Sequence, residues 1–129
     1  MLPTLAFETD PYYAQVALFD PEVSDAYPNW VTGEEEVVFG PSGVAVATRP
    51  DEAGPVRIEV YVGSYEPDPS WRFVGDGMVR VTARRLVVGS VTGGDLRSVP
   101  TDPGEYRVSV HFHDGEGGPD AVAFVVRAL

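Results

Sequence analysis

The sequence predicts an all-β fold: a single antiparallel β-sandwich domain over residues 1–129, jelly-roll-like, with about eight strands. Three observations lead there. Apolar residues recur at every second position in most of the apolar runs, which places them on one face of an extended chain. The 12 prolines and 14 glycines are spread along the chain and fall mostly where that alternation stops, as turn residues between short strands do. No segment sustains a 3.6-residue apolar period over the length a helix needs. At 129 residues the chain is long enough to bury one core without a disulfide or metal staple.

Taken in order, residues 12–19 form the first apolar segment, ending at Asp20-Pro21. Residues 21–33 read as irregular, with Pro28 and Gly33 as breakers and Trp30 as an anchor. Residues 36–39 read as a short strand, 40–43 as a turn, and 43–48 as a strand with Val44 and Val46 inward. After an exposed loop come Val56, Ile58, Val60 and Val62, the clearest alternation of the first half, with Arg57, Glu59 and Tyr61 opposite. Residues 63–70 are a loop with two prolines. Residues 71–74 resume a strand, Gly75-Asp76-Gly77 reads as a turn, and 78–83 form the next strand. Extended runs at 84–91 and 96–99 follow. Tyr106, Val108, Val110 and Phe112 then alternate with Glu105, Arg107, Ser109, His111 and His113, and a Gly-rich turn leads to a last strand at 120–127. The last two strands read as a hairpin. Short connections predict antiparallel pairing, because a parallel crossover takes about a dozen residues. The Val-rich edge strands leave homodimer pairing open.

Composition narrows the functional classes. There is no cysteine, hence no disulfide framework, thiolate nucleophile or cysteine zinc site. No apolar stretch approaches the roughly 20 residues of a membrane span, and residues 1–8 lack a basic region and a long apolar core. The expectation is a soluble cytoplasmic protein with no membrane partner. Twenty acidic residues face nine basic ones, all arginine, for a formal net charge of −11. That average field repels nucleic acid and attracts a basic protein. The acidic loops at Glu34, Glu35, Glu36, Asp51 and Glu52 are the candidate contact surface for such a partner.

Catalytic signals are incomplete. No G-x-S-x-G, P-loop or G-x-G-x-x-G motif is present. His111 and His113 sit two apart on one strand face, near enough to share a metal ion, with Glu116 three residues on. This is the alternative reading, a metal-binding cupin-like barrel, although the third histidine of a cupin is absent. Carboxylate pairs at Glu34–Glu36, Asp51-Glu52, Asp20 with Glu22 and Asp114 with Glu116 all fall in or beside loops, where solvated charge is the expected role. A third reading, carbohydrate binding, would use Trp30, Trp71, Tyr12, Tyr13, Tyr27, Tyr61 and Tyr65 as a platform, whereas such rings ordinarily fill cores or cap sandwich ends. The lead reading is a non-enzymatic interaction domain, with no cofactor expected.

An aromatic opening strand at 12–19, Trp30 ahead of Gly43-Val44-Ala45-Val46-Ala47, the long Val56-Arg57-Ile58-Glu59-Val60-Tyr61-Val62 strand, and Arg84-Arg85-Leu86 follow one another along the chain. That order of features resembles the competence protein J family of small bacterial β-sandwich proteins. The Pro103-Gly104-Glu105-Tyr106-Arg107-Val108 strand entry is similar to that family's Pro-Lys-Gly-Asp-Tyr turn; nothing specific matches beyond Phe112. The resemblance implies an inhibitor of a DNA-entry nuclease, with no catalytic residues of its own, whose acidic surface occupies the nuclease's basic cleft; the same logic suits an immunity-type protein guarding against a toxin.

Overall fold

A computed structural model describes residues 2–92 and 94–129. Ten strands form two five-stranded sheets: β1 (Leu5–Thr9), β2 (Gln15–Phe19), β3 (Val37–Gly40), β4 (Gly43–Ala47), β5 (Val56–Val62), β6 (Arg72–Val81), β7 (Arg85–Ser90), β8 (Asp95–Pro100), β9 (Gly104–Gly115) and β10 (Gly118–Ala128). The first sheet has the order β1-β5-β10-β9-β6 and the second β3-β4-β2-β7-β8. The predicted sandwich is therefore present. Its inward positions are those of the alternation: Val16, Leu18, Val44, Val46, Leu86 and Val88 from the second sheet meet Ile58, Val60, Val108, Val110, Phe112 and Phe124 from the first. Each such burial stabilises by about 1.5–3 kcal/mol.

Four expectations change. First, β1 is an edge strand that the alternation does not predict, and residues 12–14 are not strand but a 3-10 turn at Tyr12–Ala14. Second, Gly75-Asp76-Gly77 is not a turn but the middle of β6. A Cβ on Gly75 would lie 3.3 Å from Val37, and one on Gly77 2.7 Å from the Phe39 ring. Glycine is there because β3 presses against β6 where the two sheet edges meet, a close approach rather than a bend. Third, pairing is not wholly antiparallel: β5 and β10 run parallel, with Ile58 opposite Val122 and Val60 opposite Phe124. Residues 63–71 return the chain across the outer face of the first sheet, so β6 starts at the same end as β5. The antiparallel pairings β6/β9 and β9/β10 then set β10 parallel to β5. The short-loop rule governs strands joined by a tight turn, and β5 and β10 are not so joined.

Fourth, Asp20 is not a solvated loop charge. It is fully buried, and its carboxylate accepts hydrogen bonds from the backbone N–H groups of Glu22, Thr82 and Ala83 and from the Thr82 hydroxyl. Burial opposes its ionisation, but these donors outweigh burial and hold its pKa below the ordinary carboxylate value.

Two long connections cover the outer faces of the sandwich. Residues 20–36 cross the second sheet, where Ala17, Ala26 and Ala45 are all buried and Tyr27 stands edge-on against Phe19. Residues 63–71 cross the first sheet, where Tyr65 stacks on Tyr61 at 3.8 Å over Ala123 and Val125. The outer face of β10 therefore buries Ala123 and Val125 as well, with Arg127 beyond them. No helix among the described residues is long and apolar enough to cross a membrane.

Candidate functional site

The register brings one set of chain segments to one end of the sandwich. These include the β1–β2 and β4–β5 connections, the β7–β8 and β9–β10 turns, and the approach to β3. Asp10, Glu34–Glu36, Asp51, Glu52, Asp114, Glu116 and Asp120 thus share that end. The 3-10 turn at Tyr12–Ala14 packs against a second one at Asp51–Ala53. The β9–β10 turn closes on the same loop: a Cβ on Gly117 would sit 3.2 Å from Ala53, and Arg49 N donates to Pro119 O at 3.1 Å. The turn that carries Glu116 thereby lies against the loop that carries Asp51 and Glu52.

Arginines at this end are engaged internally. Arg49 donates to the carbonyls of Pro55 and Glu116. Arg57 pairs with Glu59 at 2.9 Å. Arg72 grips both oxygens of Glu36 and both of Asp114, at 2.8–3.2 Å. Side-chain hydrogen bonds from Arg72 hold the Asp114 carboxyl below its ordinary pKa. Of the three consecutive glutamates, Glu36 is therefore neutralised in place, Glu34 is exposed, and Glu35 is turned into a local loop.

Glu35 organises a pocket. Its carboxylate accepts from Val31 N (3.1 Å), Thr32 N (2.5 Å) and the Thr32 hydroxyl, which hold its pKa below the ordinary value. Beside it is a cavity of about 390 Å³ lined by Tyr13, Ala14, Gln15, Trp30, Glu35 and Thr48, among others. Trp30 Nε1 donates to Gln15 Oε1 at 2.6 Å, so the indole is anchored as the sequence led us to expect. Tyr13 is 82% exposed and occupies left-handed backbone (φ 58°, ψ 23°), followed by Ala14 at φ 56°. Such conformations are costly for residues other than glycine and cluster where function holds them. In the sequence Tyr13 and Trp30 belong to the candidate aromatic platform and Glu35 to an acidic loop; no spacing in the chain marks them as neighbours.

The histidines take different partners. His113 Nδ1 lies 2.7 Å from Asp120 Oδ1, with Trp71 edge-on at 6.2 Å, beside a pocket of about 430 Å³ that Arg49, Arg57 and Glu59 also line. His111 contacts the Ser109 hydroxyl at 3.3 Å and the Phe73 ring edge-on, and burial lowers its pKa. Glu116 stands in the hairpin turn. Among the described residues no three His, Asp or Glu side chains converge as metal ligands would. Tyr61, Tyr65 and Tyr27 are spent on packing, while Tyr12 and Tyr13 are exposed.

The opposite end opens as a depression of about 550 Å³ lined by Val62, Arg84, Pro100, Thr101, Asp102, Tyr106 and Val126, among others, so charged and apolar groups share it.

The architecture defines a class: a ten-stranded, two-sheet sandwich with face-crossing loops. Two solved structures are similar to it in fold. The chain is similar to ComJ, inhibitor of the DNA degrading activity of NucA, from Bacillus subtilis, with a TM-score of 0.74 and 14% identity over 97% of this chain and 96% of that one. It is similar also to the crocagin biosynthetic gene J product, with a TM-score of 0.55 and 13% identity over 96% and 94%. No family model and no curated protein matches the sequence.

Proposed function

We propose that this protein is a binding domain that inhibits a DNA-degrading nuclease by occupying its basic surface with the acidic end of the sandwich. One observation carries the reading: carboxylates from four separate chain segments collect at one end, while the arginines there are tied up in internal contacts. The exposed face is left with a strongly negative field. A nuclease must present positive charge to the DNA backbone, and a complementary negative face steers association and competes for that charge. The whole-length likeness to ComJ supports an inhibitor reading, since that protein is an inhibitor of the DNA degrading activity of NucA.

The test is degradation of linear DNA by NucA, or by the nuclease found with this protein in its own source, with and without a stoichiometric amount of the protein. Inhibition is expected at low salt and should weaken as salt screens the two faces. Replacing Glu34, Asp51 and Glu52 together with glutamine should slow association more than it speeds dissociation. Undiminished DNA degradation and no complex at low ionic strength would remove the reading.

A further inference from the structure

We infer that the pocket between Tyr13, Trp30 and Glu35 receives an arginine side chain of the partner protein. The inference rests on the nuclease-binding reading for the partner's identity, but its geometry stands apart from it. Two aromatic rings and one oriented carboxylate line a single cavity of about 390 Å³ on a protein of net charge −11. The Trp30 N–H is already committed to Gln15, so what the indole offers a guest is its π surface. Tyr13 is held outward by left-handed backbone that the fold maintains despite its cost. Glu35 has roughly four lone-pair sites, as any carboxylate does. Three donors from Val31 and Thr32 occupy part of that capacity and set the group's direction, and an acceptor site on Oε2 remains.

A guest must therefore be cationic, to meet Glu35 in this field, and must tolerate aromatic walls on its faces. The guanidinium group satisfies both: it is planar, permanently charged, weakly hydrated and stacks on aromatic rings. An ammonium is a strongly hydrated point charge and gains less from two ring faces. Neutral guests forfeit the attraction of Glu35, and anions are repelled.

The experiment uses the full-length chain with Trp71→Phe, so that Trp30 is the sole indole. A short peptide alternating glycine and arginine is titrated while Trp30 emission is followed; matched peptides carry lysine or the neutral isostere citrulline in place of arginine. Saturable binding is expected for the arginine peptide, weaker binding for lysine and none for citrulline. Tyr13→Asn, which suits left-handed backbone, and Glu35→Gln should each weaken arginine binding by about threefold to tenfold. Tyr13→Phe should retain it. An unchanged emission, equal response to arginine and citrulline, or unaltered affinity in both Tyr13→Asn and Glu35→Gln would overturn the inference. The same variants in the nuclease assay separate the two ideas. If they inhibit as well as the parent, the arginine pocket fails and the inhibitor reading stands. If the peptide binds while no nuclease is inhibited, the pocket stands and the inhibitor reading fails.

Discussion

Asp20 and Thr82, sixty-two residues apart, are joined by two hydrogen bonds to one carboxylate oxygen: Thr82 N at 2.7 Å and the Thr82 hydroxyl at 2.8 Å. The first residue follows a strand of one sheet and the second follows a strand of the other, so the pair fastens the layers at the end away from the acidic face. Asp20→Ala leaves several donors without an acceptor and should cost about 3 kcal/mol. Denaturant unfolding monitored by circular dichroism measures this, and a loss below about 0.5 kcal/mol, the usual range of a surface substitution, would contradict the role.

The acid side of the stability profile should fall in two steps. His111 has a folded pKa below its ordinary value of 6.5, burial being the main cause. Its contribution is therefore present above about pH 6.5 and is lost as pH falls towards the folded value. Asp20 likewise has a folded pKa below 3.8, so its contribution is present above that value and is lost as pH falls further. Unfolding free energy measured against pH should show a shallow decline first and a steeper one later. His111→Gln should abolish only the first; a profile that rises as pH falls below 6.5 would have the wrong sign.

Arg72 spends its charge on Glu36 and Asp114 near the solvent, with side chains 44%, 54% and 49% exposed. Pairs of that exposure stabilise by about 0–1 kcal/mol. Arg72→Gln should thus change unfolding free energy little, yet release two carboxylates into the acidic field. The expected result is a small drop in stability and faster association with a basic nuclease in stopped-flow measurement. Slower association would show that the acidic end is not the docking face.

Gly43 lets residues 20–36 lie against the second sheet. A Cβ there would come within 2.4 Å of the Ala26 carbonyl oxygen and 2.8 Å of the Phe19 Cβ, and backbone cannot yield as a side-chain tip can. Gly43→Ala should cost about 1–3 kcal/mol. It should also disturb Trp30, which the same connection positions, giving red-shifted emission in the Trp71→Phe background. Unchanged stability and emission would mean that the connection is not held at this point.

Tyr65 plays the matching part on the first sheet through its stack on Tyr61. Burial and the Glu59 hydrogen bond raise the Tyr61 pKa well above the ordinary tyrosine value, which is consistent with a hydroxyl shut in beneath the 63–71 connection. Tyr65→Ala should cost about 1–2 kcal/mol and open residues 63–71 to proteolysis. Resistance equal to the parent's would argue against the latch.

The inward faces were legible from alternation alone, because burial on one side of a strand leaves a period of two in the chain. Val44, Val46, Ile58, Val60 and the Tyr106–Phe112 series stand where that period puts them. Arg72, Arg80 and Arg107 pair with carboxylates on neighbouring strands, contacts that only the register reveals. Gly75-Asp76-Gly77 misled because glycine marks both turns and close approaches, and only the position of Phe39 distinguishes them. Asp20 misled because a carboxylate beside proline looks the same in sequence whether water or backbone amides solvate it.

Sequence by itself settled the layered all-β character and the surplus of negative charge, both of which depend on residue type and local order along the chain. Tertiary structure decided the parallel β5/β10 pair, the burial of Asp20, the collection of acids at one end and the meeting of Tyr13, Trp30 and Glu35. Those depend on which distant segments the crossover of residues 63–71 and the closure of the sheets bring together, and contacts between segments far apart in the chain leave no period or spacing to be read.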